Sequence, residues 1–167
     1  MDAQKHYYIE TWGCQMNAHD SEKLAGLLET RGYASCAAAD EADIVLFNTC
    51  SIRDKAAEKF YSDLGRVKRL KKNRPDMLLV VCGCVAQHDR DYVLKRAPCV
   101  DIVLGTRGIK HLPEAMERRI EEQHAQVDMT RYADVIYYDP AQIKRGSKVK
   151  AYITAMEGCS KVCTFCI

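Results

Sequence analysis

Asp43-Ile44-Val45-Leu46-Phe47-Asn48-Thr49-Cys50 is the stretch from which the fold can be read. Its four consecutive apolar side chains leave no polar face. Such a run suits a strand covered on both sides, as in a parallel sheet. Met77-Leu78-Leu79-Val80-Val81-Cys82 and Asp101-Ile102-Val103-Leu104-Gly105 are runs of the same type. His6-Tyr7-Tyr8-Ile9-Glu10-Thr11, aromatic and β-branched, reads as another strand.

Helical patterns lie between these runs. Gly13 allows a turn after the first strand, and Asn17 or Asp20 can cap the helix that follows. Leu24, Leu27 and Leu28 form its apolar stripe, and Gly32 ends it. Residues 54–72 carry Ala56, Ala57, Phe60, Tyr61, Leu64, Val67 and Leu70 at helical spacing, and Asn73-Arg74-Pro75 stops them. A short helix is expected over 89–96 and another over 112–123, with Pro113 near its start. Strand and helix alternate throughout. The pattern predicts an open, mostly parallel α/β sheet with flanking helices and right-handed crossovers, of the flavodoxin or Rossmann type.

Residues 125–148 break this rhythm and contain Asp139-Pro140 and Arg145-Gly146-Ser147, so they read as a connection. Val149-Lys150-Ala151-Tyr152-Ile153-Thr154-Ala155-Met156 alternates and reads as the first strand of a second domain. The expected division is an α/β domain over 1–124, a connection over 125–148, and the start of a second domain over 149–167.

With 167 residues, 47% hydrophobic and 29% charged, the chain has the composition of an ordinary globular protein with a real core. A net charge of +2 does not announce a nucleic-acid binder. No run approaches the ~18 apolar residues of a membrane helix. The first residues have neither a secretory nor a transit pattern, so a cytoplasmic location is expected. In that reducing compartment nine cysteines argue for metal or redox chemistry over disulfides.

Two groups of cysteines stand out. Cys14, Cys50 and Cys84 each follow the carboxyl end of an expected strand and sit where a helix begins. In a parallel sheet those ends share one edge, where ligands bind. Spacing alone leaves both a metal site and ordinary buried cysteines open. The second group is Cys159, Cys163 and Cys166, spaced Cys-x3-Cys-x2-Cys, with Phe165 just before the last. Three thiolates on one short loop suit a four-iron cluster that keeps one iron open; a zinc site or disulfide cluster is the bland alternative. Cys36 and Cys99 read as structural, and Cys82, inside an apolar run, as strand core. The five histidines show no metal-ligand spacing. Lys55, Lys59, Arg66, Lys68, Arg69, Lys71, Lys72 and Arg74 make a basic helix face, read as a solvated face ahead of a phosphate-binding one.

The loop at 159–166 resembles the signature of the radical S-adenosylmethionine (SAM) enzymes. Thr11-Trp12-Gly13-Cys14-Gln15-Met16-Asn17, Asn48-Thr49-Cys50-Ser51-Ile52-Arg53 and Gly83-Cys84-Val85-Ala86-Gln87 resemble the three cysteine motifs of the methylthiotransferase N-terminal domain. The likeness covers essentially the whole chain. Residues 48–59 are similar to the MiaB-like branch, which acts on isopentenyl-adenosine; other branches act on threonylcarbamoyl-adenosine or on a ribosomal-protein aspartate.

The resemblance implies two 4Fe–4S clusters. One, on Cys159, Cys163 and Cys166, would bind and reduce SAM, with Phe165 lining the adenine region. The resulting radical would abstract hydrogen from C2 of N6-isopentenyladenosine at position 37 of tRNA. The auxiliary cluster, on Cys14, Cys50 and Cys84, would present the sulfur. Implied partners are the tRNA anticodon stem-loop and an electron donor such as flavodoxin or ferredoxin, with the protein a monomer. The rest of the radical SAM barrel would lie beyond residue 167, so this stretch alone is expected to be inactive. A non-catalytic α/β module holding one cluster or metal, and a zinc-binding structural domain, are the competing classes.

Overall fold

The computed structural model of the chain describes residues 3–50, 54–128, 138–155 and 161–164; at 54–58 and 89 it describes the backbone alone. Among the described residues six strands form one sheet: β1 (His6–Trp12), β2 (Ala34–Ser35), β3 (Ile44–Thr49), β4 (Leu78–Gly83), β5 (Ile102–Leu104) and β6 (Gln126–Asp128). Their order is β2-β1-β3-β4-β5-β6, and every pairing is parallel. Among the same residues four α-helices flank them: α1 (Gln15–Glu29), α2 (Asp54–Asn73), α3 (Cys84–Arg96) and α4 (Leu112–Glu122). The expected open parallel α/β sheet is what the chain forms.

The apolar run of β3 explains both layers. Ile44 and Leu46 point to one face, where they pack with Leu24 and Leu28 of α1 and Leu112, Ala115 and Met116 of α4. Val45 and Phe47 point to the other, against Phe60, Leu64 and Val67 of α2 and Val85, Ala86 and Val93 of α3. The period of two along a strand splits one hydrophobic run between two cores. Each fully buried side chain of this size contributes roughly 1.5–3 kcal/mol. Phe47 also meets the Trp12 ring at 5.1 Å and the Phe60 ring at 5.8 Å.

Several expectations needed correction. Helix α1 starts at Gln15 with Cys14 as its cap, so neither Asn17 nor Asp20 begins it. Helix α3 starts at Cys84, five residues before the expected 89, because Gly83 at φ 94° turns the chain straight into it. The sheet also extends to β6, which lies within the stretch read as a connection. Residues 149–155 form no strand: no neighbour among the described residues pairs with them, and Val149 and Ile153 are exposed. An alternating sequence without a partner strand has nothing to hold it extended.

Residues 139–146 instead make a strap across α1. The Lys144 N–H donates to the Glu22 carbonyl at 3.0 Å. The Glu22 carboxylate accepts from the Gly146 N–H at 3.1 Å and from Arg145 at 3.0 Å. Burial works to raise the Glu22 carboxyl, but the Gly146 N–H, His19 and Arg145 outweigh it and hold it below the usual range. Lys144 adds an ion pair to Glu29 at 2.9 Å.

Candidate cluster site at the carboxyl rim

The strand order places a switch point between β1 and β3: from β1 the chain turns outward to β2, then crosses back to β3 on the other side. The carboxyl ends of strands at such a point leave a crevice where ligands bind. The register puts Trp12 beside Thr49, and Thr49 beside Gly83. Cys14 is two residues beyond the first of these, Cys50 one beyond the second, and Cys84 one beyond the third. Three thiols that are 36 and 34 residues apart in sequence therefore emerge on one rim of three neighbouring strands.

Each thiol has its own local setting. Cys14 is half-buried and caps α1. Its N–H donates to Asn17 Oδ1 at 3.2 Å, and its thiol lies 3.4 Å from the same oxygen. Cys50 is buried directly after β3. Cys84, half-buried, is the first residue of α3. Cys14 and Cys84 thus stand at helix N-termini, where free N–H groups and the helix dipole favour an anionic sulfur.

Two glycines let these turns approach. A Cβ on Gly13 would stand 2.6 Å from the Cys50 Cβ. A Cβ on Gly83 would stand 2.5 Å from the Thr49 carbonyl oxygen. The turns carrying Cys14 and Cys84 both press against the end of β3, which carries Cys50. Trp12, paired with Thr49, buries an indole Nε1 that has no hydrogen-bond acceptor among the described residues.

Among the described residues no three His, Cys, Asp or Glu side chains already converge on one point as ligands of a single metal ion. A cubane cluster makes a different demand, because each thiolate binds its own iron and the three stay apart. Three cysteines on one rim, two at helix N-termini, have the donor chemistry of such a centre.

The other cysteines are occupied elsewhere. Cys82 is fully buried on the α1–α4 face, 3.6 Å from the Phe47 carbonyl, and burial pushes its thiol well up. Cys36 points its sulfur at the carbonyls of Tyr7 and Ala38, both at 3.3 Å. Burial raises Cys36 and Cys99 as well. Of the second group, Cys163 is exposed; Cys159, Phe165 and Cys166 lie outside the described residues. Of the basic residues read as one helix face, Lys71 is spent inside the fold on Asp101, and Arg74, just past the end of α2, pairs with Asp43 at the surface.

Sequence reasoning missed the polar support beneath the rim. Asn17 and Asn48 are both buried and bonded to each other. The signal was present in β3, where an amide follows four apolar residues.

A family profile described as "Uncharacterized protein family UPF0004" matches residues 6–105, from β1 to just past β5. The chain belongs to the UPF0004 family. Curated relatives of this UPF0004 chain extend the likeness to its whole length. The tRNA-2-methylthio-N(6)-dimethylallyladenosine synthase of Streptomyces griseus is 43% identical over 169 residues, covering 100% of this chain and 33% of its own. The protein of that name from Chromobacterium violaceum is 44% identical over 167 residues, with 98% and 37% covered. Its counterpart from Photorhabdus laumondii is 45% identical over 168 residues, with 100% and 35% covered. The UPF0004 chain thus spans about a third of the length of the curated relatives it matches. Among its described residues no helix is long and apolar enough to cross a membrane.

Proposed function

We propose that the chain is the N-terminal, cluster-bearing part of a radical SAM enzyme that methylthiolates C2 of N6-isopentenyladenosine at position 37 of tRNA. Cys14, Cys50 and Cys84 are the protein ligands of an auxiliary 4Fe–4S cluster. Cys159, Cys163 and Cys166 hold the second, with Phe165 beside the SAM adenine. The enzyme works in the cytoplasm as a monomer, takes the anticodon stem-loop of tRNA, and draws electrons from a flavodoxin or ferredoxin. Residues 149–167 begin its radical SAM domain. The relatives' printed name supports this substrate over threonylcarbamoyl-adenosine or a ribosomal-protein aspartate.

The observation that supports the reading is the register of β1, β3 and β4, which makes neighbours of the three strand ends that Cys14, Cys50 and Cys84 follow. When bound, the iron–sulfur clusters and SAM supply the radical chemistry that turns an aromatic C–H into C–S, which polar side chains cannot do. The chain's own residues hold and orient. The first turns of α1 and α3 favour thiolate at Cys14 and Cys84. Trp12, Phe47 and Phe60 pack into one aromatic cluster beneath the end of β3.

Iron and sulfide analysis after anaerobic reconstitution tests the proposal. The chain should take up about eight irons and about eight sulfides. Replacing Cys14, Cys50 and Cys84 together by Ala should remove about half of each, while Cys36→Ala and Cys99→Ala leave both unchanged. Zinc uptake without sulfide, or equal loss on Cys36→Ala, would overturn it. In a protein of the relatives' full length, Cys14→Ala, Cys50→Ala or Cys84→Ala should keep SAM cleavage and lose the methylthio product. Replacing Cys159, Cys163 or Cys166 should end SAM cleavage itself.

A further inference from the structure

We infer that Asn48, together with Asn17, is a positioning residue that clamps the three cysteine-bearing turns into one geometry before any cluster is assembled. The inference rests on the site proposed above and adds to it a role for two amides that are not ligands.

Asn48 occupies an improbable place. It is fully buried in a central strand, where asparagine is disfavoured and an unpaired amide is costly. Its hydrogen bonds account for the cost. Asn48 Nδ2 donates to the Asn17 carbonyl at 2.8 Å and to Ser21 Oγ at 3.0 Å. Its Oδ1 accepts from Asn17 Nδ2 at 3.0 Å. Asn17 Nδ2 also reaches the Thr49 carbonyl at 3.3 Å, while Asn17 Oδ1 receives the Cys14 N–H. The two amides therefore tie the first turn of α1, with Cys14 as its cap, to the end of β3 that leads into Cys50.

The third turn is engaged by contact. A Cβ on Gly83 would lie 2.7 Å from Asn48 Oδ1, so the glycine before Cys84 rests against the same amide. A Cβ on Gly13 would lie 2.2 Å from Asn17 Oδ1. One carboxamide thus touches all three arms of the rim: through Asn17 the turn of Cys14, through its own strand Cys50, and through Gly83 the turn of Cys84. An apolar residue at 48 would pack the core but leave the three turns free to set their spacing separately. Buried polar networks of this kind fix a particular arrangement and need not add stability.

The test reads thiol juxtaposition in the chain without metal. Dibromobimane fluoresces when it has alkylated two neighbouring thiols, and peptide mapping identifies the Cys14–Cys50 bridge. Asn48→Ala should lower the yield of that bridge about fivefold in protein whose far-ultraviolet circular dichroism is unchanged. On reconstitution the same variant should carry about four irons in place of about eight. If Asn48→Ala does not fold, Asn17→Asp takes its place. It keeps the acceptor for the Cys14 N–H and turns the donor to Asn48 and Thr49 into a carboxylate oxygen that faces their oxygens, so the same fall in bridging is expected. A folded variant that bridges Cys14 to Cys50 and binds iron as the parent does would overturn the inference. Failure of the parent chain itself to bind iron and sulfide would instead overturn the site reading.

Discussion

Gly83 shows how much a single position carries at this rim. Its backbone sits at φ 94°, where an L side chain is strained, and a methyl group there would meet the Thr49 carbonyl oxygen at 2.5 Å and Asn48 Oδ1 at 2.7 Å. Both obstacles are rigid, since one is main chain and the other a bonded buried amide. Gly83→Ala should therefore cost about 2–4 kcal/mol in urea unfolding, from backbone strain and overpacking together. Its iron uptake should fall as well, because the methyl group forces Cys84 away from Cys50. A variant as stable as the parent would mean that the β4–α3 turn is free to shift. The cysteines themselves were legible in sequence, because each follows a recognisable strand. In sequence Asn17 reads as a possible cap and Asn48 as part of a strand. Their pairing spans 31 residues and leaves no local trace.

Helix α1 performs two tasks as an element, presenting Cys14 at one end and seating the 139–146 strap along its length. The strap fits because residue 26 is glycine: a Cβ there would lie 1.4 Å from the Gln142 carbonyl oxygen. Gly26→Ala sets two effects against each other. Alanine favours the helix by about 1 kcal/mol, while the methyl group expels the strap. The sheet should melt within about 1 kcal/mol of the parent, while tryptic cleavage after Lys144 and Arg145 becomes much faster. Unchanged cleavage would show that the strap does not depend on this contact. Elements with long apolar runs, β3, β4 and β5, could be read from sequence because burial on both faces demands such runs. The edges could not. Ala34–Ser35 and Gln126–Asp128 are two and three residues long and carry no periodicity. Residues 149–155 have strand composition, yet β structure is a property of a pair.

Across the whole molecule, the carboxyl rim holds the candidate chemistry and the amino rim holds a separate fastening. Asp101 is buried immediately before β5. Its carboxylate pairs with Lys71 near the end of α2, with Arg119 in the last turn of α4 at 2.8 Å, and with the Leu79 N–H at 2.8 Å. Three elements on both faces of the sheet thus meet at one anion. Nothing in sequence announces it, since Lys71 and Arg119 lie 30 and 18 residues away. Asp101→Asn keeps the shape, removes the charge and leaves two cations short of a partner. Breaking a buried pair in this way costs about 3–5 kcal/mol; the lower end is expected here because Arg119 keeps contact with water. The lesion lies at the opposite ends of the strands from Cys14, Cys50 and Cys84. Iron and sulfide bound per folded chain should therefore match the parent at a temperature where the variant remains folded. Urea unfolding beside iron analysis checks both halves. Iron loss equal to that of Gly83→Ala, in folded protein, would show that the two rims are coupled through the sheet.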